Sequence, residues 1–237
     1  HTIGRRQRQM CIRDRVGTRE GRSDKSVNSE FIEGLNYVGN NPVVILILLS
    51  TLVNGLLGRS FIELLPAVSG LLLMGGASEL AWLTAAAGTG AVLGGLLMSR
   101  QAAHVMGLYR LILVALLGAA LLLATLNWLD ALISLAVVVG LITFTTTIAG
   151  TGCQALTQLL IDPNYHGRVM SLWSMTMMAS PALGAATNGA LAEWAGFVTT
   201  FAVASALGVL AVLALYARRR VVSDFAPEAI ATTSDSR

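Results

Sequence analysis

Arg59 and Glu63 stand one helical turn apart inside an apolar run that extends from Val43 to about Met74. A charge placed in hydrocarbon costs about 2.5–3.5 kcal/mol on insertion scales, so such groups face a protein interior or a watery cavity. At this spacing the two side chains can pair on one face, mid-way along the run. Two chemistries fit: a charged pair in a solute pathway, or a structural ion pair near the outer half of the helix. A second polar set lies further on. Thr143, Thr147, Thr151, Gln154 and Gln158 recur at four, four, three and four, which puts them on one face of a helix. Threonine often serves only to pack helices together. The glutamines are different, because a buried amide needs hydrogen-bond partners. With Asn54, these residues are the candidate lining of a substrate pathway.

Other chemistry finds little support. The three histidines, His1, His104 and His166, are dispersed, and Cys11 and Cys153 offer neither a disulfide framework nor metal-ligand spacing. Cys153 falls inside an apolar run, where a small soft side chain packs. No intramembrane Ser/His or Asp/Asp pair suggests a protease, and neither an enzyme, a metal nor a cofactor is expected. Gly88, Gly90, Gly94 and Gly95 crowd one run. Without a preceding strand or a Walker-type lysine they are no phosphate cradle, and they read as sites of close helix approach. Met170, Met175, Met177 and Met178 enrich another run; flexible thioethers suit a cavity for greasy ligands, or plain packing.

The elements that must position these residues are membrane helices. Hydrophobic residues make up 54% of the 237-residue chain and charged ones 12%, against about 25% charged in average soluble chains. Lipid leaves only helices or closed barrels, and runs of roughly 20 residues exceed the ~10 of a membrane strand. Residues 28–42 predict a surface helix, on Phe31, Leu35 and Val38, ending at Asn40-Asn41-Pro42. Six spans are then expected: Val43 to about Met74 as one long helix bent near Pro66, Leu80–Met98, Met106–Leu126, Ala131–Leu160, Val169–Trp194 and Phe197–Tyr216.

The charges test this count. Arg100, Arg110, Arg168 and Arg218-Arg219-Arg220 all fall on one side, whereas the alternate connections hold Glu79, Asp130 and Glu193 with no Lys or Arg. The positive-inside rule then places both ends in the cytoplasm, with residues 221–237 as a disordered tail. Residues 1–26 carry eight Lys/Arg against three Asp/Glu, while the rest of the chain is net acidic. The alkaline balance belongs to this leader and implies no nucleic-acid partner. The leader lacks the apolar core of a signal peptide. Its stretch QRQMCIRDR resembles translated adapter read-through; a disordered basic arm is the other reading.

Several phrases, in order, resemble the C-terminal half of a major facilitator superfamily transporter. Glu33 to Pro42 (EGLNYVGNNP) resembles the approach to that family's seventh helix, and Glu63-Leu64-Leu65-Pro66 a motif within it. Gly88 to Gly95 is similar to the glycine-rich eighth helix, and Asp162 to Ser171 to the loop entering the eleventh. Ser180-Pro181-Ala182-Leu183-Gly184, running on to Gly196, resembles the Pro/Gly stretch of that helix. The likeness covers roughly residues 30–220 and is greatest to the enterobactin-exporter-like transmembrane secretion effectors.

The resemblance implies six helices forming one half, helices seven to twelve, of a twelve-helix fold. It implies an efflux permease of a bacterial inner membrane for small hydrophobic molecules, drugs or siderophores, working by alternating access. It also implies a partner six-helix half, with protons as a coupling ion. Arg168 and Asp162 would latch a cytoplasmic gate, and Pro181 and Gly184 would serve helix packing. Ser99–Arg110 lacks the full Gly/Asp/Arg-rich signature of the superfamily, and Ser180 stands where antiporters typically carry Gly. Two other classes remain: a six-span ABC-type permease subunit, for which no coupling segment is found, and a non-transporting scaffold.

Overall fold

The computed structural model describes residues 27–72, 76–100, 105–129, 131–162 and 165–222. His1, Cys11, His104, Asp130 and the leader and tail fall outside them. Contacts divide the chain at Glu33/Gly34, and the helical bundle lies in the second unit, residues 34–237.

Long apolar runs become helices because each backbone polar group is then met within its own segment. Helix α1 is Val27–Asn40 and α2 is Pro42–Asn54. Pro42 sits in the first turn of α2, where its missing N–H costs nothing. A π-helical segment, Gly55–Arg59, continues α2 into α3, Ser60–Glu63, and α4 is Leu65–Leu72. Then come α5 (Ala77–Ser99), α6 (Val105–Thr125, extended by a 3-10 turn to Trp128), α7 (Leu132–Leu160), α8 (His166–Ala195) and α9 (Phe197–Ala217). No strand occurs among the described residues. The chain turns from α8 into α9 at Gly196, whose φ of 82° suits a residue without Cβ.

Two expectations change. The single bent helix from Val43 to Met74 is interrupted twice, by the π segment and by a turn at Leu64. The break precedes Pro66 because proline has no N–H to donate to the Ile62 carbonyl four residues back, while it is itself at home in a first turn. Five helices, Pro42–Glu63, Ala77–Ser99, Val105–Trp128, Leu132–Leu160 and Phe197–Ala217, are long and apolar enough to cross a membrane. The sixth expected span forms the 30-residue α8. It is long enough, but its Ser, Thr, Asn and Gly content makes it the least apolar of the long helices, the composition of a helix largely bordered by protein or water.

Helix α7 packs on α5, α6 and α2; α8 packs on the π segment and α3; α9 closes the bundle against α6 and α8. Two apolar clusters fill it. One joins Leu46, Tyr109, Ile112, Cys153, Leu156 and Leu215 toward the arginine-bearing end. The other joins Phe61, Leu83, Leu123, Leu135, Ile142 and Phe201 toward the opposite end. Trp82, Trp128 and Trp194, at 67%, 77% and 88% exposure, sit at that opposite end of α5, α6 and α8. Exposed tryptophans near helix ends are common at a membrane–water boundary.

Candidate functional site

Between the two apolar clusters lies a band of buried polar side chains: Ser50, Thr51 and Asn54 of α2, Thr143 and Thr146 of α7, and Ser180 of α8. Most satisfy themselves locally. Ser50, Thr51, Thr143 and Ser180 each donate to a carbonyl one turn back, on Leu46, Ile47, Val139 and Thr176, at 2.7–3.0 Å. Such bonds make a hydroxyl compatible with a core without committing it to a ligand.

Asn54 differs. Its Nδ2 donates across to the Thr146 carbonyl oxygen at 3.2 Å. Its Oδ1 is buried with no protein partner. Turning the amide over would set two acceptors face to face, so the interhelical bond decides its orientation. The π segment begins at the next residue, with the Ser60 N–H reaching back five residues to the Gly55 carbonyl. Two glycines let it fit. A Cβ on Gly55 would strike the Ser180 side chain, and one on Gly58 would strike Thr146. Beyond the segment, Asn188 Nδ2 of α8 donates to Ser60 Oγ at 3.3 Å. Two amides thus hold this rod, Asn54 to α7 and Asn188 to α8. π turns are rare and concentrate at functional sites.

The candidate residues divide around this band. Arg59 and Glu63 fall in the last two turns of the Pro42–Glu63 span rather than mid-way, because the turn at Leu64 ends the helix there. Both are exposed, and among the described residues no ion pair joins them. Along α7 the polar stripe emerges gradually. Thr143 is buried, Thr147 half-buried against Gly94, Thr151 exposed, Gln154 half-buried and Gln158 exposed. Thr151 donates to its own helix at the Thr147 carbonyl, 2.7 Å away. Gln154 and Gln158 have no side-chain hydrogen bond among the described residues.

Asp162 lies just past the end of α7 and Arg168 in the first turn of α8, and both are engaged within the chain. Arg168 lies 5.7 Å from the Tyr165 ring centroid, and Tyr165 stacks on Tyr37 of α1 at 4.3 Å. Pro181 and Gly184 of α8 face the π segment and α3, where a Cβ on Gly184 would come within 2.6 Å of Ser60 Cβ. Of the α5 glycines, Gly90 lies against the Gly140 backbone and Gly94 against Phe144 and Thr147. A Cβ on Gly88 or Gly95 would meet nothing within 4 Å, so these two are not points of close approach within the described residues. Outside the polar band, Trp82, Ala86, Leu93, Ile133, Leu141 and Phe144 border an open apolar groove of about 800 Å³ between α5 and α7. Thr89 at its edge turns its hydroxyl to the Ala85 carbonyl, 2.9 Å away.

Asn188, Ser60 and Trp173, whose Nε1 is buried without a partner, were not singled out from sequence. Among the described residues no group of His, Cys, Asp or Glu could hold a metal. Such an arrangement can bind, orient and gate; it holds no nucleophile–base pair.

A bundle with five helices long and apolar enough to cross a membrane, and a band of buried polar side chains between its two apolar clusters, has the architecture of a multi-pass membrane protein. Residues 13–233 match the family described as transmembrane secretion effector, and the chain belongs to that family, within the major facilitator superfamily. The match takes in part of the basic leader. No curated protein and no solved structure matches the chain.

Proposed function

We propose that this bundle is one half of a secondary active exporter of small, largely hydrophobic molecules, drugs or siderophores among them, in a bacterial inner membrane. The observation that carries the reading is Asn54, a buried amide with an unmet acceptor, placed at the start of a π segment where three helices cross. Unmet buried acceptors are expensive, and a conformational change or a solute can supply the donor. A second six-helix half would face the surface bearing Arg59, Glu63, Gln154 and Gln158. Rocking of the halves about a mid-membrane site would then expose it to each side in turn. Both ends of the chain lie in the cytoplasm on this reading, and Asp162 and Arg168 belong to the cytoplasmic gate. Protons are the coupling ion, and the charged groups at Arg59 and Glu63 are where coupling would be felt. The apolar groove between α5 and α7 favours hydrophobic cargo over sugars or ions.

The test is efflux of a fluorescent hydrophobic dye from cells expressing the whole protein. Arg59→Ala should abolish export while the amount of protein in the membrane stays the same. Unchanged export removes Arg59 from the mechanism, and absence of dye or siderophore export by the whole wild-type protein removes the exporter reading.

A further inference from the structure

The arginine-bearing ends of α6 and α9 are joined by buried contacts. Tyr109 of α6 is fully buried, and its hydroxyl donates to the Leu215 carbonyl of α9 at 3.3 Å. The same carbonyl accepts the Arg218 N–H at 3.2 Å. One oxygen atom therefore ties the side chain of Tyr109, the neighbour of Arg110, to the backbone at Arg218. The chain then turns at Arg218 and makes one more helical turn, and Val222 re-enters the core beside Tyr109 and Leu215 with 1% of its surface exposed. Arg218 and Arg219 are thus held between two buried anchors. Arg219 lies over the Tyr216 ring at 3.9 Å and donates from Nη1 to the Tyr216 carbonyl at 3.2 Å, which leaves most of its donor fork open. Arg110 and Arg218 are exposed. Arg220 makes an interaction of its own within the chain.

What lies beneath these arginines in the membrane is hydrocarbon surface alone. On α6 the exposed face continues through Val114 and Leu121, and on α9 through Leu207, Leu210 and Leu213. No polar side chain interrupts either face until the opposite end, in contrast with the polar exposed residues of α7 and α8. Cations above a wide apolar wall match one class of molecule, an amphiphile with an anionic head and long chains.

We propose that Arg110, Arg218 and Arg219 form a binding site for the phosphate of an anionic phospholipid, whose acyl chains lie along the exposed faces of α6 and α9. Cationic clusters at a membrane surface attract such lipids, and guanidinium forks suit phosphate oxygens. The proposal does not depend on what the bundle transports.

The test uses the full chain reconstituted in equal amounts of phosphatidylglycerol and phosphatidylcholine with identical acyl chains, and native mass spectrometry counts the lipids retained. Wild type should keep phosphatidylglycerol with a preference of roughly a hundredfold, the order expected for three arginines near an anionic lipid surface. The triple variant Arg110→Gln/Arg218→Gln/Arg219→Gln should fall to near parity, while Arg110→Lys/Arg218→Lys/Arg219→Lys keeps most of the preference. The basic leader is common to all three, so it cannot produce the difference. An unchanged preference in the glutamine variant overturns the site. Wild type alone also decides: loss of the retained lipid to millimolar inorganic phosphate would mean a simple anion site, and parity between the two lipids would mean no site. Either result overturns the proposal.

Discussion

The side-chain amide of Asn54 donates to the Thr146 carbonyl at 3.2 Å across 92 residues of sequence, while its own Oδ1 stays buried and unpartnered. The two halves of that amide have opposite energetic meanings. The bond adds a second donor to a carbonyl that α7 already satisfies from within, whereas the orphaned oxygen carries a desolvation cost of about 1–3 kcal/mol. A residue kept only for stability would be better replaced.

Asn54→Ala should accordingly change stability by no more than about 1 kcal/mol, since it removes a modest bond and an unmet acceptor together. Asn54→Asp should be far worse, on the order of 3 kcal/mol, because it buries an unpaired carboxylate opposite a carbonyl. Thermal unfolding of the two purified variants in one detergent would rank them. If Asn54→Ala were the more damaging, the amide would be a structural strut after all.

At Gly55 the close approach to Ser180 makes a reciprocal test possible. Gly55→Ala puts a methyl group where the Ser180 side chain lies, so α2 and α8 must part, at a cost of about 1–3 kcal/mol. Adding Ser180→Gly removes both of the nearest atoms. The double variant should recover part of the loss, with a coupling above about 0.5 kcal/mol in a double-mutant cycle. Strict additivity would mean that the segment relaxes elsewhere.

Much of this architecture is legible in the sequence. Run lengths locate the helices to within a few residues because the bilayer imposes them, and the alternation of arginine with acidic connections agrees with their number. The Pro66 signal is legible too, yet the turn falls at Leu64, since the hydrogen bond that proline removes is the one to the turn before it. The π segment is not legible: one residue accommodated within a helix leaves no compositional trace beyond Gly55 and Gly58. Nor is the fate of the α5 glycines obvious until Leu83, Ala87, Gly90 and Gly94 are seen to recur at four, three and four, which is the buried stripe. Arg59 and Glu63 are conspicuous by charge, but their depth depends on where the helix ends.

That stripe yields a paired prediction. Gly90→Ala must displace the Gly140 backbone, which cannot rotate away as a side chain could, so a loss of about 1–3 kcal/mol is expected. Gly88→Ala and Gly95→Ala enter open space and replace a poor helix former with the best, so each should be neutral or gain up to about 1 kcal/mol. Melting temperatures of the three single variants would show the split; equal losses would mean that other surfaces cover Gly88 and Gly95.

The two kinds of exposed face can be told apart chemically. Arg59, Thr151 and Gln158 are exposed polar side chains on α3's approach and on α7, and lipid would penalise them. Val114 and Leu210 are equally exposed on α6 and α9 but sit among apolar neighbours. In a Cys11→Ser/Cys153→Ala background, single cysteines at Arg59, Thr151 and Gln158 should react with a membrane-impermeant maleimide in opened vesicles of the whole protein. Cysteines at Val114 and Leu210 should stay unreactive there, because a thiolate does not form in hydrocarbon. Cys153 itself is fully buried in the core, so its replacement should cost little beyond packing. Labelling at Leu210 as fast as at Gln158 would mean that α9 borders water, and the acyl-chain surface assigned to it would be lost with that result.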